Sequence, residues 1–165
     1  MSIGQQLLAE FEQELHATRR VLERVPDDQL AWQPHPTAMS LGQLAFHVAG
    51  TPAGVTRMIQ TDAMPVPEFQ QPAASSRAEI LQALAASESA VRQCLSSATD
   101  EWLMTPWSLT RDGVPVMTVP RAAMFRMVGM NHVYHHRGQL TMSLRMLGVP
   151  VPAVYGVSRD ENPFA

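Results

Sequence analysis

The chain has 165 residues, of which 45% are apolar, with 12 basic and 15 acidic side chains and a formal net charge of −3. That length suits one domain with a sizeable core, and that composition excludes a disordered chain. The basic residues are scattered and no apolar run reaches about 18 residues, which excludes nucleic acid, an anionic membrane surface and a membrane span as the basis of function.

Ile3, Leu7, Phe11, Leu15, Thr18, Leu22 and Val25 recur on one helical face, predicting a first helix over 3–25 that Pro26 closes. The opening segment MSIGQQLLAEFEQEL has no basic stretch leading into an apolar run, so it reads as a helix rather than a signal peptide. With Cys94 as the single cysteine, no internal disulfide forms, and the expected location is cytoplasmic. After a loop carrying Trp32, Pro34 and Pro36, Ser40 and Gln43 form a capping-box pattern opening a second helix over 40–60. Pro52 inside it removes a backbone donor and predicts a kink. A Pro-rich linker over 64–74 precedes a third helix over 76–97, opened by a second capping-box pattern at Ser76 and Glu79. Ile80, Leu84, Val91 and Leu95 supply its apolar face, with Cys94 beside them as a small buried hydrophobe. Asp112-Gly113 between β-leaning runs predicts a hairpin over 107–119, and Pro115 confines its second strand to an edge. Pro120 opens a fourth helix over 120–147, and Gly148 closes it. The tail over 149–165 carries three prolines and reads as a docked or loose extension. The fold class is therefore all-α: a four-helix bundle in a single domain, with a short β-hairpin between helices three and four.

Three of the six histidines fall on predicted core faces. His132 and His136, four residues apart, lie about 40° apart around the fourth helix. Phe125, Val128, Gly129, Leu140, Ser143, Met146 and Leu147 share their side on a uniform wheel, while Arg126, Arg137, Thr141 and Arg145 fall opposite. His47 occupies the same situation on the second helix, beside Leu44, Val48, Thr51, Val55 and Met58. One histidine on an apolar face reads as a satisfied core residue. Three in one dry core are costly unless something collects their lone pairs, and a divalent metal ion does so. His135 lies to the other side of His132 and reads as a rim residue supporting the site, with replacement of one of the ligands as the alternative; Gln139, close to the His132 direction, could hold a metal-bound water or substrate. His16 and His35 read as surface residues, and neither Asp62 nor Glu68 has a spacing that forces it to the site as a general base.

Three segments carry a family resemblance: SLGQLAFHVAG around His47, NHVYHHRGQL around His132 and His136, and the closing LGVPVPAVYGVSRDEN with Tyr155, Asp160 and Glu161. On these the chain resembles the DinB-like (damage-inducible, YfiT-like) metal-binding four-helix bundles. The chain has Gly156-Val157-Ser158 where many relatives have Gly-Pro-Ser. The resemblance implies that His47, His132 and His136 bind one divalent ion, commonly zinc or nickel, and that the protein is a homodimer. The solvent side of the fourth helix, with Met127, Met130 and Tyr134, is the expected contact. Arg137, Gly138 and Gln139 match the motif without being ligands, Gly138 being expected to permit close helix contact.

Three histidine ligands leave a coordination position open, the arrangement of catalytic rather than structural zinc. The resemblance implies a metal-dependent thiol S-transferase acting on a small electrophile, with a low-molecular-weight thiol as co-substrate. The alternatives are a metal-dependent hydrolase and a non-enzymatic metal- or ligand-binding stress-response module.

Overall fold

Side-chain caps set where the helices begin in the computed structural model, which describes residues 1–68 and 71–165. Helix α1 (Ile3–Leu22) starts behind Ser2, whose hydroxyl accepts from the Gln5 amide while the Gln5 side chain accepts from the Ser2 amide. Helix α2 (Leu41–Met58) starts behind the same reciprocal pair, Ser40 and Gln43. Each such cap is worth about 1 kcal/mol. The Ser76 cap of α3 (Arg77–Ser97) is only half a box: Ser76 accepts from the Glu79 amide, but the Glu79 carboxylate turns to the amide and hydroxyl of Ser75.

Four helical columns form a ring. α3 packs against both α1 and α2, and the fourth column packs against α2 and, less extensively, α1. The close approach of α1 to α3 depends on Gly4, where a Cβ would stand 2.6 Å from the Leu95 carbonyl oxygen. The first helix ends at Leu22 rather than at Val25, because Pro26 biases the residue before it away from helical backbone, yet Val25 stays fully buried.

Pro52 sits inside α2, which nevertheless runs as one element from Leu41 to Met58. The buried Ser87 hydroxyl of α3 donates to the Ala49 carbonyl (2.6 Å) and accepts from the Ala53 amide (3.2 Å), so it is inserted into the ladder one turn around the proline.

A short helix α4 (Asp100–Met104), absent from the sequence reading, follows α3 behind a Thr99 cap. The expected hairpin is present as β2 (Pro106–Arg111) and β3 (Val114–Pro120), turned by Asp112 and Gly113 at φ +52° and +78°. The linker after α2 adds a strand that the sequence reading lacks: β1 (Ala63–Pro65) pairs in parallel with β2, giving the order β1-β2-β3. Arg121 ties this sheet to the bundle. It is 3% exposed, and its guanidinium donates to the Ile59, Thr61 and Pro106 carbonyls and pairs with Asp62. Asp62 therefore holds the far end of α2 and does not approach the histidines as a base.

The fourth column is one helical stretch in three parts: α5 (Arg121–Met124), a wider π-type segment (Phe125–Asn131) and α6 (His132–Met146). A uniform wheel fails across the π segment. Within α6 the buried residues are Val133, Arg137, Leu140, Ser143 and Leu144, a stripe centred about 90° from His132 at 100° per residue. Five expectations change accordingly. His132 and His136 stand on the flank of the stripe, not at its centre. Met146 is 59% exposed, and Arg137, placed by the wheel on the solvent side, is 1% exposed. Met130 is 1% exposed and offers nothing to a partner chain; the exposed methionines of this column are Met127, Met142 and Met146. Gly138 is exposed, and a Cβ there would meet nothing within 4 Å, so it mediates no close helix contact within the chain.

Gly148 closes α6 at φ +72°, with the Val149 amide bonded back to the Leu144 carbonyl. The tail is docked, not loose. The Asp160 carboxylate accepts from the Val151 amide and pairs with Arg145, while Glu161 accepts from the Ala153 amide and pairs with Arg20. No helix is long and apolar enough to cross a membrane, among the described residues.

Candidate metal centre

His47 comes from the second turn of α2, and His132 and His136 from the first two turns of α6. The Ser40 cap places His47 in depth, and the π segment places His132, whose amide bonds to the Met127 carbonyl across the wider turn. Helical turns of this kind concentrate at functional sites because they re-aim one face of a helix.

The three rings converge. His47 Nε2 and His132 Nε2 lie 2.9 Å apart, and one ring nitrogen from each of the three histidines falls within 4.8 Å of the others. Ring centroids are separated by 5.2, 4.8 and 4.3 Å, each pair close to perpendicular. Tetrahedral bonds of about 2.0–2.1 Å put ligand nitrogens about 3.3 Å apart, so this donor set fits a zinc-type ion with small ring adjustments. Without an ion, facing Nε2 atoms satisfy each other only as one donor and one acceptor, and a third nitrogen is left over. No other histidine, cysteine or carboxylate joins them among the described residues, so the protein supplies three donors.

Electrostatics keep lone pairs available. Burial, then the neighbouring His136 and His132, push the His47 imidazole down to about 4, and burial, then His136 and His135, lower His132. Both are neutral at pH 7. The His136 Nδ1 lies 2.7 Å from Gln139 Oε1, and a carbonyl oxygen can only accept, so Nδ1 carries the proton and Nε2 is left to ligate. Gln139 Nε2 in turn donates to His135 Nε2 at 3.0 Å. Gln139 thus bridges His136 and His135, and His135 stands outside the triad at the exposed rim. His16 is exposed, as expected, and so is His35, whose ring contacts Thr37. This support predicts that Gln139→Leu weakens zinc affinity roughly 10-fold by chelator competition, the lower end of the range for such partners because the contact is exposed. Gln139→Glu, which keeps an acceptor, and His135→Ala should both retain most of the metal. Unchanged affinity in Gln139→Leu would show that His136 needs no such support.

Cys94 is half-buried at the edge of α3, not fully in the core. It accepts from the Gln60 amide (3.3 Å), and burial raises its thiol.

The sequence profile of the DinB family matches residues 1–162. The chain belongs to the DinB family. YrdA of Bacillus subtilis, an uncharacterised protein, is 26% identical over 160 residues, spanning 93% of this chain and 89% of its own length. Among solved structures, a DinB-like protein from Bacillus cereus superposes with a TM-score of 0.70 at 26% identity, covering 90% of this chain and 95% of its own. The DinB-like YjoA of Bacillus subtilis gives a TM-score of 0.66 at 21% identity, covering 88% and 96%, a likeness of fold. The bundle with its small sheet is thus the DinB fold, and the histidine cluster is the feature of this family member that can hold a metal ion.

The wheel also missed the two buried arginines, Arg121 and Arg137. Each lies where a helix wheel or a strand end shows only a polar residue, and no spacing rule marks a charge whose partners come from other elements.

Proposed function

We propose that this chain is a divalent-metal-dependent enzyme that joins a small thiol to an electrophilic carbon, with zinc or nickel held by His47, His132 and His136. The observation that carries the reading is the convergence of three imidazoles, with no fourth donor among the described residues, at the flank of a bundle beside a cavity lined by His47. A bound ion would supply Lewis acidity at an open position, where a thiol with a usual pKa of about 8.5 is held as thiolate. The chain's own residues then have separate tasks. His136 is fixed in one tautomer by Gln139, His47 is kept neutral by burial, and the mainly apolar wall beside it offers a surface for a substrate body. In the transfer the sulfur lone pair forms the C–S bond, the leaving group departs with its electron pair, and the thiol proton goes to solvent. The sulfur comes from solution, since Cys94 lies on α3, outside the cluster, with a raised thiol pKa.

The expected result is metal- and thiol-dependent conjugation of a model electrophile, abolished in His132→Ala and largely intact in Cys94→Ser. Metal-dependent cleavage of esters or amides without thiol would replace this reading with a hydrolase. Silence of the metal-loaded protein in both assays would replace it with a binding module.

A further inference from the structure

A cavity of about 410 Å³ opens between α2 and α3, with His47 and Arg57 both in its lining. Such a volume falls within the roughly 300–1,000 Å³ of small-molecule sites. Its walls are mainly apolar: Phe46 and Ala53 from α2, Ala83 and Ala86 from α3. Gly50 lies between the two polar ends, and a Cβ there would meet nothing within 4 Å, so the helix surface is bare where a ligand body would rest. No carboxylate lines the cavity among the described residues. Its permanent charge is the Arg57 guanidinium, which forms no salt bridge among the described residues, as is also true of Arg24, Arg77, Arg111 and Arg159, and it is the one arginine in the cavity lining. His47 and Arg57 are ten residues apart, about 15 Å along the helix at about 1.5 Å per residue. Helical side chains lean toward the N-terminus, which brings the long arginine stem back toward His47.

We infer that this cavity is the substrate pocket of the histidine site and that it selects a small organic carboxylate. The apolar body packs on Phe46, Ala83 and Ala86, the carboxylate pairs with Arg57, and the opposite end of the molecule lies at His47. The inference rests on the reading that the histidine site acts on a small molecule. The carboxylate belongs to the electrophile, because the pocket is mainly apolar and its lining runs from His47 to Arg57, while a thiol needs only the metal position.

Calorimetric titration at low ionic strength with 3-phenylpropionate and its uncharged isostere 3-phenylpropionamide tests this, on zinc-loaded and on metal-stripped protein. The Arg57 end is open to solvent, so the charge-assisted pair is expected to favour the acid by about fivefold rather than by orders of magnitude. The preference should be present in both metal states and vanish in Arg57→Gln. Ala83→Phe, which fills the cavity, should abolish binding of both probes, with melting temperature and zinc content showing that the variant is folded. Equal affinity of acid and amide for the wild-type protein overturns the inference. So does acid binding that requires zinc and is undiminished in Arg57→Gln, since the carboxylate then sits on the ion. In turnover, 3-phenylpropionate should raise the KM for the electrophile and not for the thiol; the reverse would assign the cavity to the thiol and overturn the assignment made here. Arg57-dependent binding without metal-dependent turnover retains the pocket and removes the thiol-transfer reading. Turnover of carboxylate-bearing electrophiles that is indifferent to Arg57→Gln retains that reading and removes the pocket.

Discussion

Replacing His132 with alanine is expected to strip the protein of its metal, from close to one divalent ion per chain to a small fraction of that. His132 Nε2 faces His47 Nε2 at 2.9 Å, so its loss removes one of three donors and unpairs a second. The drop in affinity should exceed the roughly 10–100-fold that losing a supporting partner costs. Elemental analysis after dialysis, or chelator competition, reads this directly, and His47→Ala and His136→Ala should behave alike. Thermal stability gives an independent readout. Zinc at 100 times its dissociation constant stabilises the wild-type fold by about 2.7 kcal/mol, or roughly 5–11 °C for a chain of this size. The same addition should leave the three variants unmoved. Undiminished metal in any of them would sink the site.

The acid dependence follows from the same rings. His47 is lowered to about 4 from its ordinary 6.5, and His132 is lowered too. As pH falls below about 6.5, the unfolded chain takes up protons at these positions before the folded chain does. The unfolded state then binds more protons, so the metal-stripped fold loses stability progressively from about pH 6.5 toward pH 4 and is free of this penalty above 6.5. For the loaded protein, protons compete less effectively with the metal at these rings than they would at free imidazoles, so metal should remain bound well below pH 6.5.

Arg137→Met is expected to cost about 3–5 kcal/mol of fold stability. The arginine is 1% exposed. It donates to the Glu14 carboxylate at 2.7 Å, to the Glu14 carbonyl at 3.1 Å and to the Thr18 hydroxyl at 3.0 Å, and it also meets the Tyr155 hydroxyl. Tyr155 donates to the same carboxylate at 2.8 Å, and the guanidinium lies 5.3 and 5.0 Å from the Tyr134 and Tyr155 ring centres. One residue thus joins α1, α6 and the docked tail. Methionine keeps much of the volume but leaves the Glu14 charge, with only 14% of its side chain exposed, without its cation. A melting temperature lowered by roughly 6–20 °C is the expected reading. Adding Glu14→Gln to Arg137→Met should recover a substantial part of it, because the dominant cost is an unpaired buried carboxylate and not lost packing. No recovery in the double variant would mean that packing carries the effect.

Much of the candidate site was legible before any coordinates. His47 sits in a segment opened by a capping box, and His132 and His136 have the four-residue spacing that puts two rings on one helical face, so local rules made all three candidates and the family resemblance grouped them. The helix starts at Ser40 and Ser76, the Asp112-Gly113 turn and the Gly148 stop are equally local. Ser2 and Gln5 carried the same capping signal and would have been found by applying it to the first residues.

What local rules could not supply are the features whose causes lie in other elements. The wider turns over Phe125–Asn131 arise in the packed fourth column, and they rotate α6 so that the histidines stand at the flank of the core. Arg121 and Arg137 become core residues only because carbonyls and carboxylates from α1, α2 and the sheet converge on them. Strand β1 exists because β2 offers it an edge. The pattern of a single segment determines which residues form each helix and which share a face, since backbone geometry repeats every 3.6 residues. Only the assembled bundle decides how far each face turns toward the core, because that angle is set by packing and by charges that cannot be buried without partners from elsewhere in the chain.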